Sequence, residues 1–253
     1  GSGACQASIS GDAASSIAAI GPLTLGRVAT TGVNYIGTLD VGAESVTLID
    51  SNGAVLGGPV LLDGGELSCT NGLGFQLGSA VSGRGTLAGN VTNSGRLQPL
   101  GNPGSNTITI EGNYVANPSS DLTMDLAGPN SGTPRVNVTG TATFGGNADL
   151  SLAPGYLPTI GQQIILINAT GGRSDTFDSL EHTNLCDQYT LVLVYSSTAA
   201  IALVRPGTQV TQIGDLDRDG DIDAADFQRW APCMAGPDVL IRPVGCDAGD
   251  FQF

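Results

Sequence analysis

Leu122-Thr123-Met124-Asp125-Leu126 alternates apolar and polar residues, as do Thr107-Ile108-Thr109-Ile110 before it and Val136-Asn137-Val138 after it. Alternation with period two sends every second side chain to one face of a β-strand. From about Val33 to Val204 the same pattern recurs, in Val46-Thr47-Leu48-Ile49, Val60-Leu61-Leu62, Asp149-Leu150-Ser151-Leu152, Ile164-Ile165-Leu166-Ile167 and Leu191-Val192-Leu193-Val194. Between the runs stand Gly57-Gly58, Gly64-Gly65, Gly83, Gly85, Gly89, Gly95 and Gly145-Gly146. Glycine accepts the positive φ of tight corners, so these positions read as turns. The pattern predicts an all-β fold of short strands. A parallel β-solenoid stacks coils of roughly 20 residues, whereas a β-sandwich pairs the same strands antiparallel. Dense small corner residues favour the solenoid over residues 40–150. The longer strands of residues 155–204 suggest a sandwich-like terminal cap.

Composition narrows the function. The chain has 253 residues, no lysine, one histidine (His182) and a formal net charge of −14. Chemistry on a lysine amine is excluded, and a multi-histidine metal site or proton relay has too few residues to build it. The negative charge repels nucleic-acid phosphates. No apolar run approaches the roughly 20 residues of a spanning helix, so membrane insertion is not expected.

After Pro206 the composition changes. Asp215-Leu216-Asp217-Arg218-Asp219-Gly220-Asp221-Ile222-Asp223-Ala224-Ala225-Asp226 places six carboxylates in twelve residues. Two such charges about 6 Å apart repel by roughly 0.7 kcal/mol even in water, so a folded cluster requires a cation. Asp215, Asp217 and Asp219 fall at loop positions one, three and five, and Gly220 at six allows the sharp turn. Asp221 offers its backbone carbonyl at seven, Asp223 acts through water at nine, and Asp226 closes the site at twelve. Hard oxygen donors in this number select calcium over magnesium or a transition metal. Thr208–Gly214 lacks the helix that an EF-hand needs before its loop. Ala224–Trp230 reads as a helix start, with Asp223 as N-cap and Pro232 as the stop.

The five cysteines show no zinc-ligand spacing. Cys233 and Cys246 close a short loop containing Gly236-Pro237 and Pro243, a disulfide candidate in an oxidising compartment. Cys5, Cys69 and Cys186 are then an odd set, one pair with a free thiol or an intermolecular link; buried reduced cysteines are the alternative. Asn90, Asn137 and Asn168 each head a sequon. No signal peptide is visible, and the missing initiator Met points to a processed or trimmed chain, with Gly1-Ser2 equally compatible with a cloning remnant.

Two resemblances extend this reading. Gly83-Arg84-Gly85-Thr86-Leu87-Ala88-Gly89-Asn90-Val91, then Asn93-Ser94-Gly95, then Ile110-Glu111-Gly112-Asn113-Tyr114, resemble the autotransporter-type β-strand repeat of bacterial secreted and surface proteins. The resemblance covers roughly residues 36–200 and implies a right-handed parallel β-helix outside the cell. The calcium loop followed by a helix, with Asp at position twelve, resembles a type I dockerin repeat, a family that docks onto cohesin modules. Asp223-Ala224-Ala225-Asp226-Phe227-Gln228 recurs 24 residues later as Asp247-Ala248-Gly249-Asp250-Phe251-Gln252. The positions matching Asp215, Asp217 and Asp219 there are Val239, Ile241 and Pro243, so the second repeat is degenerate and a two-helix cohesin-binding face is not expected.

Catalytic arrangements find little support. A Ser-His-Asp set would have to use His182, which lies in a polar, loop-like stretch and reads as a surface residue. Asp121 with Asp125, or Glu111 with Asp149, are the carboxylate pairs conceivable for glycoside chemistry; they read better as solvent-facing strand residues. The expectation is a non-catalytic extracellular protein with three parts: an N-terminal segment or cap (1–35), a β-solenoid (36–205) and a dockerin-like calcium module (206–253). Its partners would be copies of itself, forming a fibre or oligomer, or another surface component. The alternative is a carbohydrate-active enzyme or glycan-binding adhesin on the same scaffold.

Overall fold

The structure is a computed structural model, and it describes residues 16–18, 23–26, 34–35, 38–50, 52–100, 106–126, 135–153, 156–183, 185, 189–207, 224 and 227–228. It is all-β. The strands in the first half are β1 (Ser16–Ala18), β2 (Leu23–Gly26), β3 (Asn34–Tyr35), β4 (Thr38–Gly42), β5 (Ser45–Ile49), β6 (Ala54–Leu56), β7 (Pro59–Ser68), β8 (Leu73–Phe75), β9 (Ala80–Ala88), β10 (Val91–Asn93) and β11 (Arg96–Pro99). There follow β12 (Thr107–Glu111), β13 (Tyr114–Ala116), β14 (Asp121–Leu126), β15 (Arg135–Val138), β16 (Ala142–Thr143), β17 (Asn147–Leu152), β18 (Gln163–Ala169), β19 (Arg173–Ser174), β20 (Ser179–Thr183), β21 (Tyr189–Tyr195) and β22 (Ala199–Pro206).

These strands form a 15-stranded and a 7-stranded sheet. Pairing among β1–β20 is parallel throughout the described residues. That direction excludes the antiparallel sandwich for these strands. Antiparallel pairing is confined to β22, which joins β18 on one side and β21 on the other. The tight connection from β21 to β22 sets that direction: Ser196 N–H donates to the Ala199 carbonyl, and the Ser196 hydroxyl accepts from the Thr198 and Ala199 amides.

Register places like residues beside like. One apolar column runs Val60, Val81, Leu97, Leu122, Ala148. A second runs Leu67, Leu87, Ile110, Val138, Ala169. In the smaller sheet Ala54, Leu73, Val91, Tyr114 and Ala142 stack likewise. All of these side chains are buried. Each buried Leu or Val contributes about 1.5–3 kcal/mol, so the columns are the main stabilising feature. Buried polar groups in the stack are partnered: Asn93 donates from Nδ2 to the Tyr114 hydroxyl (3.3 Å) and accepts the Gly95 amide at Oδ1 (3.1 Å). Burial pushes the Tyr114 phenol up to about 12, partly offset by that Asn93 bond.

Glycine plays two parts beyond the turns expected of it. Gly64 and Gly65 lie within β7, and Gly83 and Gly85 within β9, rather than between strands. Positive φ at Gly83 (109°) bends β9 without ending it, so one strand pairs with β11 over its first half and β12 over its second. Elsewhere Gly89, Gly112, Gly140 and Gly171 stack one above another. A Cβ on Gly112 would lie 2.5 Å from the Gly89 carbonyl oxygen, so close approach of backbone to backbone reserves the position for glycine.

Candidate functional site

The calcium-loop residues Asp215, Asp217, Asp219, Asp221, Asp223 and Asp226 lie outside the described residues, as do Cys5, Cys186, Cys233 and Cys246. One residue of the loop and two after it are described: Ala224, Phe227 and Gln228 are helical in conformation and exposed, at the place where a helix start is expected. Among the described residues no cluster of three or more His, Cys, Asp or Glu side chains comes together. The side chains of the acidic segment offer carboxylate oxygens, the hard donors that calcium takes.

β22, the last strand before the acidic segment in the sequence, ends at Pro206 and forms an antiparallel unit with β18 and β21. That unit is fastened to the parallel body by contacts distant in sequence. Phe144 and Phe177 stack with centroids 5.3 Å apart, and Tyr195 tilts against Phe144 at 6.2 Å. The Phe177 amide donates to the Tyr195 hydroxyl (3.0 Å), while the Arg173 guanidinium sits 4.6 Å over the Tyr195 ring. Arg173 also donates to the Ser196 carbonyl (2.7 Å) and the Asp175 carbonyl (2.6 Å), and Asp175 holds a positive φ of 59°. Burial raises the Tyr195 phenol above its ordinary range; the Phe177 amide and the Arg173 charge pull the other way. A cation over an aromatic face and two charge-assisted donors make this a firm joint. Sequence reading missed it because nothing local links Phe144 to Phe177 or Tyr195.

The remaining candidates are distributed along strands. His182 lies on β20 rather than in a loop, in register with buried Leu150 yet itself exposed, because β20 is the last strand of its sheet. Asp121 accepts from Asn147 Nδ2 (3.2 Å) and Asp125 accepts from the Ser151 hydroxyl. Glu111 on β12 and Asp149 on β17 share no ladder; Asp149 instead pairs with Thr123 and Glu181. Cys69 carries a free, buried thiol. Asn90 is exposed beside β10, its Oδ1 accepting the Asn113 amide at 2.9 Å. Asn137 and Asn168 are half-buried ladder neighbours on β15 and β18. No helix among the described residues is long and apolar enough to cross a membrane. In comparison with known proteins, no family model and no curated sequence matches this chain.

Proposed function

We propose that this chain is a non-catalytic extracellular structural or adhesive protein. Its body is a parallel β-solenoid, right-handed as the autotransporter-type resemblance implies. Its tail, residues 206–253, is ordered by one calcium ion and joins copies into fibres or tethers them to another surface component. The observation that carries this reading is the in-register parallel stack. Ile17, Leu39, Val60, Val81, Leu97, Leu122, Ala148 and Leu180 succeed one another along a single direction. At about 4.8 Å per level, such a stack spans roughly 34 Å. Stacked repeats of this kind are extended by end-to-end assembly, which is the role proposed for the body. The net charge of −14 opposes close approach of copies, and calcium at the Asp-rich loop removes part of that opposition where the tail makes contact.

Electron microscopy of purified protein with calcium, and after a chelator, tests the proposal. Ordered filaments that disperse on chelation are expected. Uniform single particles under both conditions contradict the assembly reading.

A further inference from the structure

β21 is a sheet edge without the usual protection. From β9 the larger sheet runs through β11, β14 and β17 to β20 on one side, and through β12, β15, β18 and β22 to β21 on the other. The second arm is one strand longer, so β21 stands a level beyond β20. Among the described residues β21 pairs with β22 and with no other strand. Sheet edges are normally guarded by charge, proline, a bulge or shortness. β20 has such a guard, in exposed Glu181 and His182. β21, Tyr189-Thr190-Leu191-Val192-Leu193-Val194-Tyr195, has seven residues in unbroken register with β22 and neither a charged side chain nor a proline. The core is also unfinished there. Ala200 and Ala202 on β22 are buried, whereas Tyr195 and Leu193, which pair with them on β21, are half-buried.

A second copy of β21 fits this edge. Antiparallel pairing about a twofold axis at Val192 sets Tyr189 opposite the partner's Tyr195, Thr190 opposite the partner's Val194, and Leu191 opposite the partner's Leu193. Val192 then meets the partner's Val192. Inward residues face inward ones and outward residues outward ones, so the half-closed core continues from one body into the next. Copies of net charge −14 repel, and a charged strand paired with itself would set like charges face to face; β21 brings none. The charges around the edge are of both signs, exposed Arg205 on β22 and exposed Glu181 on β20, so the strand itself rather than its border fits the partner. We infer that β21 pairs with β21 of a second copy, joining two antiparallel units into one sheet. An isologous contact of this kind closes at two copies. The inference rests on the assembly reading above, in which the calcium-bound tail supplies the second contact that joins pairs into a fibre. Pro206, opposite Tyr189 at one end of β21, leads in sequence to the six loop carboxylates, whose charge opposes the pairing when calcium is absent.

Charge exchange at the axis tests it. Val192→Asp and Val192→Arg each set like charges opposite one another. In sedimentation velocity with calcium, the first association step of either variant alone is expected to be about tenfold weaker than wild type, or more. Mixed in equal amounts, they are expected to recover to within about threefold of wild type, because Asp then faces Arg. Should either variant fail to fold, Thr190→Asp mixed with Val194→Arg repeats the test beside the axis, and the mixture is expected to pair more tightly than either component. Val192 variants that assemble as wild type does overturn the inference and leave the assembly reading standing. A mixture no tighter than its components does the same. Wild type that stays monomeric in calcium overturns the assembly reading and the inference together.

Discussion

Replacing Gly112 by Ala probes the stack at the point where its backbone is tightest. A Cβ there would sit 2.5 Å from the Gly89 carbonyl oxygen, 2.6 Å from the Gly89 carbonyl carbon and 2.8 Å from the Asn90 nitrogen. All three are backbone atoms, so no side chain can turn aside, and the level must move. The Gly112 carbonyl also accepts the Gly140 amide at 2.9 Å, so movement is passed to the next level. Overpacking of this kind costs about 1–3 kcal/mol. At ~2–4 °C per kcal/mol for a chain of this size, the melting temperature falls by about 2–12 °C. Gly74→Ala is the matched control: on β8, a Cβ would meet nothing nearer than the Ala54 carbonyl oxygen at 3.7 Å. Its smaller unfolded-state entropy makes the control neutral or stabilising by up to ~1 kcal/mol. Thermal melts followed by circular dichroism compare the two. A Gly112→Ala protein that melts with or above Gly74→Ala would refute the stacked-glycine argument.

Three further outcomes are expected. Tyr114 is held neutral by burial, its pKa raised from 10.0 to about 12; stability is therefore full below pH 10 and falls as pH rises from 10 through 12, by about 3 kcal/mol in all. Denaturant titrations of wild type and Tyr114→Phe should diverge over that window, and parallel curves would count against the buried phenol. Arg173→Met removes the bonds to the Ser196 and Asp175 carbonyls and the contact with the Tyr195 ring, so amide exchange in β21 and β22 should quicken by roughly tenfold, reflecting about 1–2 kcal/mol lost at the joint. Unchanged protection there would deny Arg173 its fastening role. Asp217→Ala, which removes the ligand at loop position three, should abolish tight calcium binding in a calorimetric titration while the body melts as before; retained affinity would place the ion elsewhere.

Much of the fold is legible in the sequence because strand alternation is a local property. Leu122, Met124 and Leu126 are buried and Asp125 is exposed, as the period of two requires. The same rule sorts Ile108 and Ile110, Val136 and Val138, and Leu150 and Leu152 into the core. It fails where geometry departs from a regular pleat. At β18 a register shift between Ile165 and Ile167 lets Leu166 and Ile167 both turn inward. Gly83 and Gly85 read as corners because glycine permits positive φ, yet here that freedom bends a strand that keeps its ladder. Strand direction is invisible to alternation: β21 and β22 are antiparallel because a short Ser196–Ala199 turn leaves no length for a parallel crossover. His182 looked loop-like through its polar neighbours, and its exposure follows from the end position of β20. For the candidate site, the aspartate spacing is the ground on which calcium is proposed. The joint made by Phe144, Phe177, Arg173 and Tyr195 is not legible in the sequence, because its members come from two connections and two strands spread over about fifty residues.

The central claim is that calcium at the acidic tail converts single bodies into an assembly. Sedimentation velocity of the wild-type chain, as calcium is raised from a chelated start, tests it most directly. The account predicts a monomer without calcium and a concentration-dependent series of larger species with it. One unchanging species across the whole titration would contradict it.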